Sequence, residues 1–222
     1  RGEQDVAVTT SNRLFQKSGI AVVDIFGGIA FSQAPSYFGP VGADSVLRQL
    51  NMLKKNKHVK GLIVRINSPG GTVGASQEIY RAIQEVKKEL NIPVVAQIGD
   101  VGASGGYYAA LGADTIFANP GSLVGSIGVI LGNLDIQKLA KKHGVDMNIY
   151  KSGPYKDLLS MWRPSSEQEK TMLQALVDDV YLQFETAFIE SRKISKRSAK
   201  KLAQGQIFTG KQALKHDMID RL

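Results

Sequence analysis

The 222 residues contain no cysteine, which removes disulfides, thiolate metal ligands and a cysteine nucleophile, and leaves the compartment open. No apolar run reaches the roughly 20 residues that cross a bilayer. The longest, residues 20–31, is broken by Asp24 and by glycines. Neither a phosphate loop ending in Gly-Lys-Ser/Thr nor a strand-adjacent G-x-G-x-x-G is present, so nucleotide binding is not expected. No initiating methionine stands at the start. A chain that opens at Arg1 reads as a processed or truncated product, whose leader would be the place for a targeting or anchoring segment.

With 43% hydrophobic residues the chain is long enough to bury a full core in one domain, and no repeat, low-complexity tract or linker divides residues 1–222. The net charge of +8 is uneven. Residues 191–222 hold nine Lys and Arg against two Asp, about +7 in that stretch. The cluster Arg192, Lys193, Lys196, Arg197, Lys200 and Lys201 has the charge to meet anionic lipid or nucleic acid. It carries no interleaved aromatics to stack on bases, so it reads as a solvated helix face and no nucleic-acid partner is expected.

Apolar β-rich runs at 19–26, 61–66, 94–98 and 115–118 alternate with helical periodicity at 43–55, 75–90 and 104–112. This alternation predicts βαβ units and a mostly parallel sheet with flanking helices, an α/β fold. A run at 127–131, a helix at 135–142 and a strand at 146–150 follow. A helical C-terminal extension, about 165–222, begins with one long helix. Its stripe is Met172, Leu173, Leu176, Val180, Phe184, Phe188 and Ile189, opened by a Ser165-x-x-Gln168 cap, and a second helix is expected at 195–203.

Four segments carry chemistry. Gly102-Ala103-Ser104-Gly105-Gly106 places a serine at a glycine-flanked strand-to-helix turn, where small neighbours admit a carbonyl and a helix start offers N–H groups to an oxyanion. As a G-x-S-x-G pattern it is short and promiscuous, and a capping serine explains it equally. Ser68-Pro69-Gly70-Gly71-Thr72 ends the second strand, where open α/β sheets form their crevice; its glycines can bare a backbone N–H, or make a tight turn only. A serine needs a base. His58, His143 and His216 all sit in polar surroundings and read as solvated. A lysine kept neutral by burial among apolar groups can serve instead, and Lys156, in the turn-rich Ser152-Gly153-Pro154-Tyr155-Lys156-Asp157, follows the last expected strand. The chain has many other basic residues, so this position alone does not single it out. Finally, Gly125-Ser126-Ile127-Gly128-Val129 offers a hydroxyl that can bond a neutral amine without adding charge.

Taken in order, Ser-Pro-Gly-Gly-Thr, Ala-Ser-Gly-Gly-Tyr-Tyr, Gly-Ser-Ile-Gly-Val and Ser-Gly-Pro-Tyr-Lys-Asp resemble the bacterial signal peptide peptidase A family, over nearly the whole chain. The resemblance implies a crotonase-like or Clp-protease-like fold and a Ser-Lys dyad. In it Ser104 attacks, Lys156 is base and then acid, Ser126 orients the lysine and Gly71 supplies an oxyanion N–H. It further implies a ring-shaped homo-oligomer, an N-terminal membrane anchor with the catalytic domain on the extracytoplasmic side of a bacterial cell membrane, no cofactor or metal, and signal-peptide remnants and other apolar peptides as substrates. Gly70, Gly105, Tyr107, Leu123, Val124, Ile130 and Leu131 are candidates for lining the substrate site. Two other readings stand beside it. One is a histidine-dependent esterase of the α/β-hydrolase kind, with His216 and Asp114 or Asp146; the other is a non-catalytic crotonase-like oligomeric scaffold.

Overall fold

A computed structural model describes residues 19–31 and 42–222 of the chain; Arg1 lies outside them. Strands β1 (Gly19–Phe26), β2 (Val59–Ser68) and β3 (Val94–Ala103) run parallel in sequence order, linked by helices α1 (Ala43–Lys54) and α2 (Val73–Leu90). The pattern of apolar residues explains the layering. Val23 and Ile25 on β1 and Leu62, Val64 and Ile66 on β2 are buried with Val46, Leu50, Ile79, Ile83 and Val86 of the two helices. On the other face of β1, Val22 and Phe26 are exposed, and Asp24 forms an ion pair with Arg65 at 2.7 Å. Asn91 ends α2 in a left-handed conformation, and Pro93 follows at the start of the next strand.

β3 is where the sheet forks. Its first half pairs with β4 (Thr115–Ala118) and its second half with β5 (Leu123–Gly125), both parallel. The split follows from an irregularity in register: Ile66 faces Ile98, yet Ser68 faces Gly102. Asn67 fills the gap, its Oδ1 accepting from the N–H groups of Asp100 and Val101 at 3.1 and 3.0 Å. Such a bulge bends the strand and re-aims what comes next, which here is Ser104.

Past β5 the outcome departs from the pattern. Residues 127–131 form no strand, because Ser126 adopts φ +51° and its N–H bonds to the Gln206 carbonyl at 2.6 Å, turning the chain away from the sheet. Residues 146–150 alternate as a strand should but find no edge to pair with, and Tyr150 is exposed. The expected helix at 135–142 is the shorter α4 (Gln137–Lys142). The sheet gains instead an unanticipated antiparallel strand, β6 (Ile207–Thr209), on β5, followed by α7 (Gly210–Lys215).

The long helix α5 (Glu167–Arg192) is capped by Ser166, whose Oγ accepts from the Glu169 N–H while the Glu169 carboxylate accepts from the Ser166 N–H. The capping box is thus one residue later than Ser165-x-x-Gln168. Of the apolar residues of α5, only those in its second half are buried. Phe184 and Phe188 are buried against Tyr108 and Tyr107, whereas Met172 and Leu176 of the expected stripe are exposed. Helix α6 (Lys196–Leu202) matches the expected second helix and is held by Ala199. Of the basic cluster, Arg192 is not solvated: its guanidinium binds both Asp220 oxygens, at 3.0 and 2.7 Å.

Candidate active site

Ser104 joins β3 to the short helix α3 (Gly105–Ala110), at φ +50° and ψ −123°. For an L-residue this is a sparsely populated conformation, usually reserved for glycine and maintained only where the surroundings dictate it. Two contacts fix it. The Ser104 N–H donates to the Gly125 carbonyl at 2.8 Å, and the Tyr108 N–H donates to the Ser104 carbonyl at 2.8 Å. The residue thus sits at the turn from strand to helix and borders a cleft.

The Pro69-Gly70-Gly71 turn lies against this serine backbone to backbone. A methyl group at Gly70, itself at φ +104°, would stand 2.7 Å from the Gly105 nitrogen and 2.8 Å from Ser104 Cβ. Ile29 pairs with this turn from the other side: its N–H donates to the Gly70 carbonyl at 2.9 Å and its carbonyl accepts from the Thr72 N–H at 2.8 Å. The Gly71 N–H therefore points away from Ile29. It lies 3.2 Å from where a Gly105 Cβ would be, and no hydrogen bond among the described residues uses it. A free N–H beside a serine is the arrangement that stabilises an oxyanion.

A cleft of about 660 Å³ opens at this point, bordered by Gly71, Ser104, Gly105 and Ser126. Its far wall is α5, through Val177, Val180, Tyr181 and Phe184, with Tyr108 beneath and Val129 and Ile130 at one side. Burial pushes the phenols of Tyr108 and Tyr181 above their ordinary range. The lining is mostly apolar with a few convergent polar groups, the general character of a binding cleft. Ser126 shares with Ser104 a positive φ, and the two are joined through Gly125, which lies between Ser126 in sequence and the Ser104 N–H in space.

The expected lining is only partly present. Gly105 and Ile130 border the cleft. Tyr107 instead is fully buried in the core, its hydroxyl donating to the Met218 carbonyl at 2.6 Å. Val124 is buried with it, because alternate residues of β5 point inward. Leu123 faces the opposite way, into a shallow depression with Asp100 and Asn119. Leu131 and Gly70 do not border the cleft: Leu131 is exposed, and Gly70 is packed beneath the serine. Sequence reasoning missed Val177, Val180, Tyr181 and Phe184, whose helical spacing reads as core and gives no sign that half of it walls a cleft.

Lys156 is exposed and does not border the cleft of its own chain. It sits in a string of turns, residues 152–159, tied down by charge. Asp157 binds Lys151 at 2.7 Å and Arg163 through both oxygens, at 2.7 and 2.8 Å. These cations, Arg163 foremost, hold the Asp157 carboxyl well below the usual carboxylate range. His58, His143 and His216 are exposed and none borders the cleft. No cluster of His, Cys, Asp or Glu fit for a metal occurs among the described residues.

Comparison with known proteins identifies the family. The sequence model of the Clp protease family matches residues 39–120 and that of peptidase family S49 matches residues 86–222. The chain is 42% identical over 203 residues to a candidate protease of Synechocystis sp., covering 91% of this chain and 69% of that protein. It is 38% identical to a candidate signal peptide peptidase of Enterococcus faecium, covering 79% and 51%. To Protease 4 of Salmonella typhi it is 31% identical, covering 92% of this chain and 33% of that protein. The forked parallel sheet with helices on its flanks is accordingly of the Clp-protease and crotonase kind. With more than half of its length matched by the S49 model and its relatives bearing these names, the chain belongs to peptidase family S49, the family of signal peptide peptidase A.

Proposed function

We propose that the chain is a serine peptidase that cleaves apolar peptides, signal-peptide remnants among them, through Ser104 and a lysine base, Lys156. The observation that carries this reading is a serine in a strained turn, at the floor of an apolar cleft, beside an unoccupied Gly71 N–H. Ser104 Oγ adds to the peptide carbonyl carbon as its proton passes to Lys156 Nζ, and the Gly71 N–H bonds the resulting oxyanion. Collapse expels the amine, which takes the proton from Lys156. Water, deprotonated by Lys156 Nζ, then attacks the acyl ester; the bond to Ser104 Oγ breaks, Oγ takes the proton back from Lys156, and the carboxylic acid leaves. Ser126, on the same cleft, orients the lysine.

Lys156 stands outside the cleft of its own chain, so this chemistry requires an assembly that brings the amine in. The arm over 128–164 that carries it exposes Ile130, Leu134, Leu139, Met147 and Tyr150, the kind of surface an oligomer covers. A ring of identical chains, each lending its lysine to a neighbour, is the arrangement that meets both needs. In this reading residues 1–222 act as one protease domain, anchored at a bacterial cell membrane through an N-terminal segment, with the site on the extracytoplasmic side. The name of the Enterococcus faecium relative, a signal peptide peptidase, supports the substrate; no described helix is itself long and apolar enough to cross a membrane.

The test is labelling by a fluorophosphonate. Ser104 should be modified in the native protein, and both Ser104→Ala and Lys156→Ala should abolish labelling. Co-assembling the two inactive variants should restore part of the activity, because a mixed assembly contains intact Ser104–Lys156 pairs across chains. Full labelling of Lys156→Ala would refute the lysine base, and loss of activity on replacing the three histidines would favour the esterase. Turnover indifferent to Ser104→Ala would leave only the scaffold.

A further inference from the structure

We propose that Arg163 is a positioning residue for Lys156, keeping the neighbouring carboxylate of Asp157 turned away from the amine and fixing the turn that presents it; this rests on Lys156 being the base. Arg163 has five N–H donors, and all five are used. Nε and Nη2 grip the two Asp157 oxygens at 2.8 and 2.7 Å. Nη2 and Nη1 grip the two Glu169 oxygens at 2.6 and 2.8 Å, and Nη1 also reaches the Pro164 carbonyl at 3.2 Å. Glu169 is only 3% exposed and is at the same time the partner of Ser166 in the capping box of α5, accepting from the Ser166 N–H at 2.7 Å. One guanidinium thus ties the residue next to Lys156 to the start of the longest helix, while Lys151 closes the other side of Asp157.

The arrangement has an electrostatic consequence. A free carboxylate one residue from a lysine favours the ammonium form, which cannot accept a proton from serine. Here the groups facing Asp157 are Lys151 and Arg163, and Glu169 faces Arg163 from α5, so two cations and two anions balance and both Asp157 oxygens are occupied. Asp157 is turned toward them and has no bond to the Lys156 amine, which enters no hydrogen bond or ion pair among the described residues. A lysine at position 163 would keep the charge but lacks the planar fork that binds two carboxylates side by side.

The experiment is the pH profile of kcat and KM on an apolar peptide. Arg163→Met should lower kcat about tenfold or more with little change in KM, and move the acid limb of the profile up by about one pH unit, because Asp157 is released toward the amine. Arg163→Met with Asp157→Asn should return the limb to its original position while leaving kcat reduced. Arg163→Lys, the gentler change, should shift the limb in the same direction and keeps the test open should the methionine variant fold poorly. Thermal unfolding of each is followed in parallel. A fall in stability with an unmoved limb in both single variants overturns the proposal and leaves Arg163 a structural residue. Lys156→Ala is measured beside them: if it retains turnover, the lysine base itself fails and the positioning role falls with it. If it is inactive while the Arg163 variants keep the native profile, only the positioning role fails.

Discussion

Ser104 is held at φ +50° and ψ −123°, where a Cβ is a burden. Replacing it by alanine removes the hydroxyl and keeps the strain; replacing it by glycine removes both. Strain of this kind costs about 1–3 kcal/mol. Glycine loses about 0.5–1 kcal/mol relative to alanine through the freedom of its unfolded chain. Because Ser104 borders an open cleft, the missing methyl group leaves no closed void. Ser104→Gly should therefore be more stable than Ser104→Ala by about 0.5–2 kcal/mol, or about 1–8 °C in Tm for a chain of this size. At an ordinary buried position such as Ala109 the order is reversed and glycine destabilises. The assay is urea or thermal unfolding of the two variants. Neither can cleave itself if Ser104 is the nucleophile, so processing does not blur the comparison. Finding the glycine variant the less stable of the two would refute the claim that the site stores strain.

Two further outcomes separate core from site. Tyr107→Phe strands the Met218 carbonyl that its hydroxyl now satisfies, so unfolding free energy should fall by about 1–3 kcal/mol with KM unchanged; a raised KM at native stability would return Tyr107 to the substrate path. Arg163 first, then the Ser166 N–H, lowers the Glu169 pKa from its ordinary 4.5 to about 2, so the carboxylate contributes stability above about pH 4.5 and loses it as pH falls toward 2. The native protein should therefore outlast Glu169→Gln near neutrality, and their melting temperatures should converge as pH approaches 2; a constant gap across that range would contradict the assignment.

Much of this molecule is legible in one dimension. The β-branched runs, the helical spacing and the Asn91-x-Pro93 stop determine β1, β2, β3, β4, α1 and α2, because each depends on residues within a few positions of itself. The Thr209-x-x-Gln212 box that opens α7 is equally local. The glycines around Ser104 and at 70–71 marked the places where two backbones meet, since only glycine admits such an approach. What the chain order could not reveal is which surfaces face one another. The 127–131 and 146–150 segments have the composition of strands and lack an edge to pair with; Tyr107 and Tyr108 are adjacent, yet one is locked under Met218 and the other lines the cleft. That division is made by α5 and the returning C-terminal segment, more than 60 residues downstream, and pairing across such a distance leaves no local signature in sequence. Residue types and turn geometry therefore set the chemistry on offer at Ser104, Gly71 and Ser126, whereas the cleft that gives it a substrate, and the separation of Lys156 from it within one chain, were decided by tertiary packing.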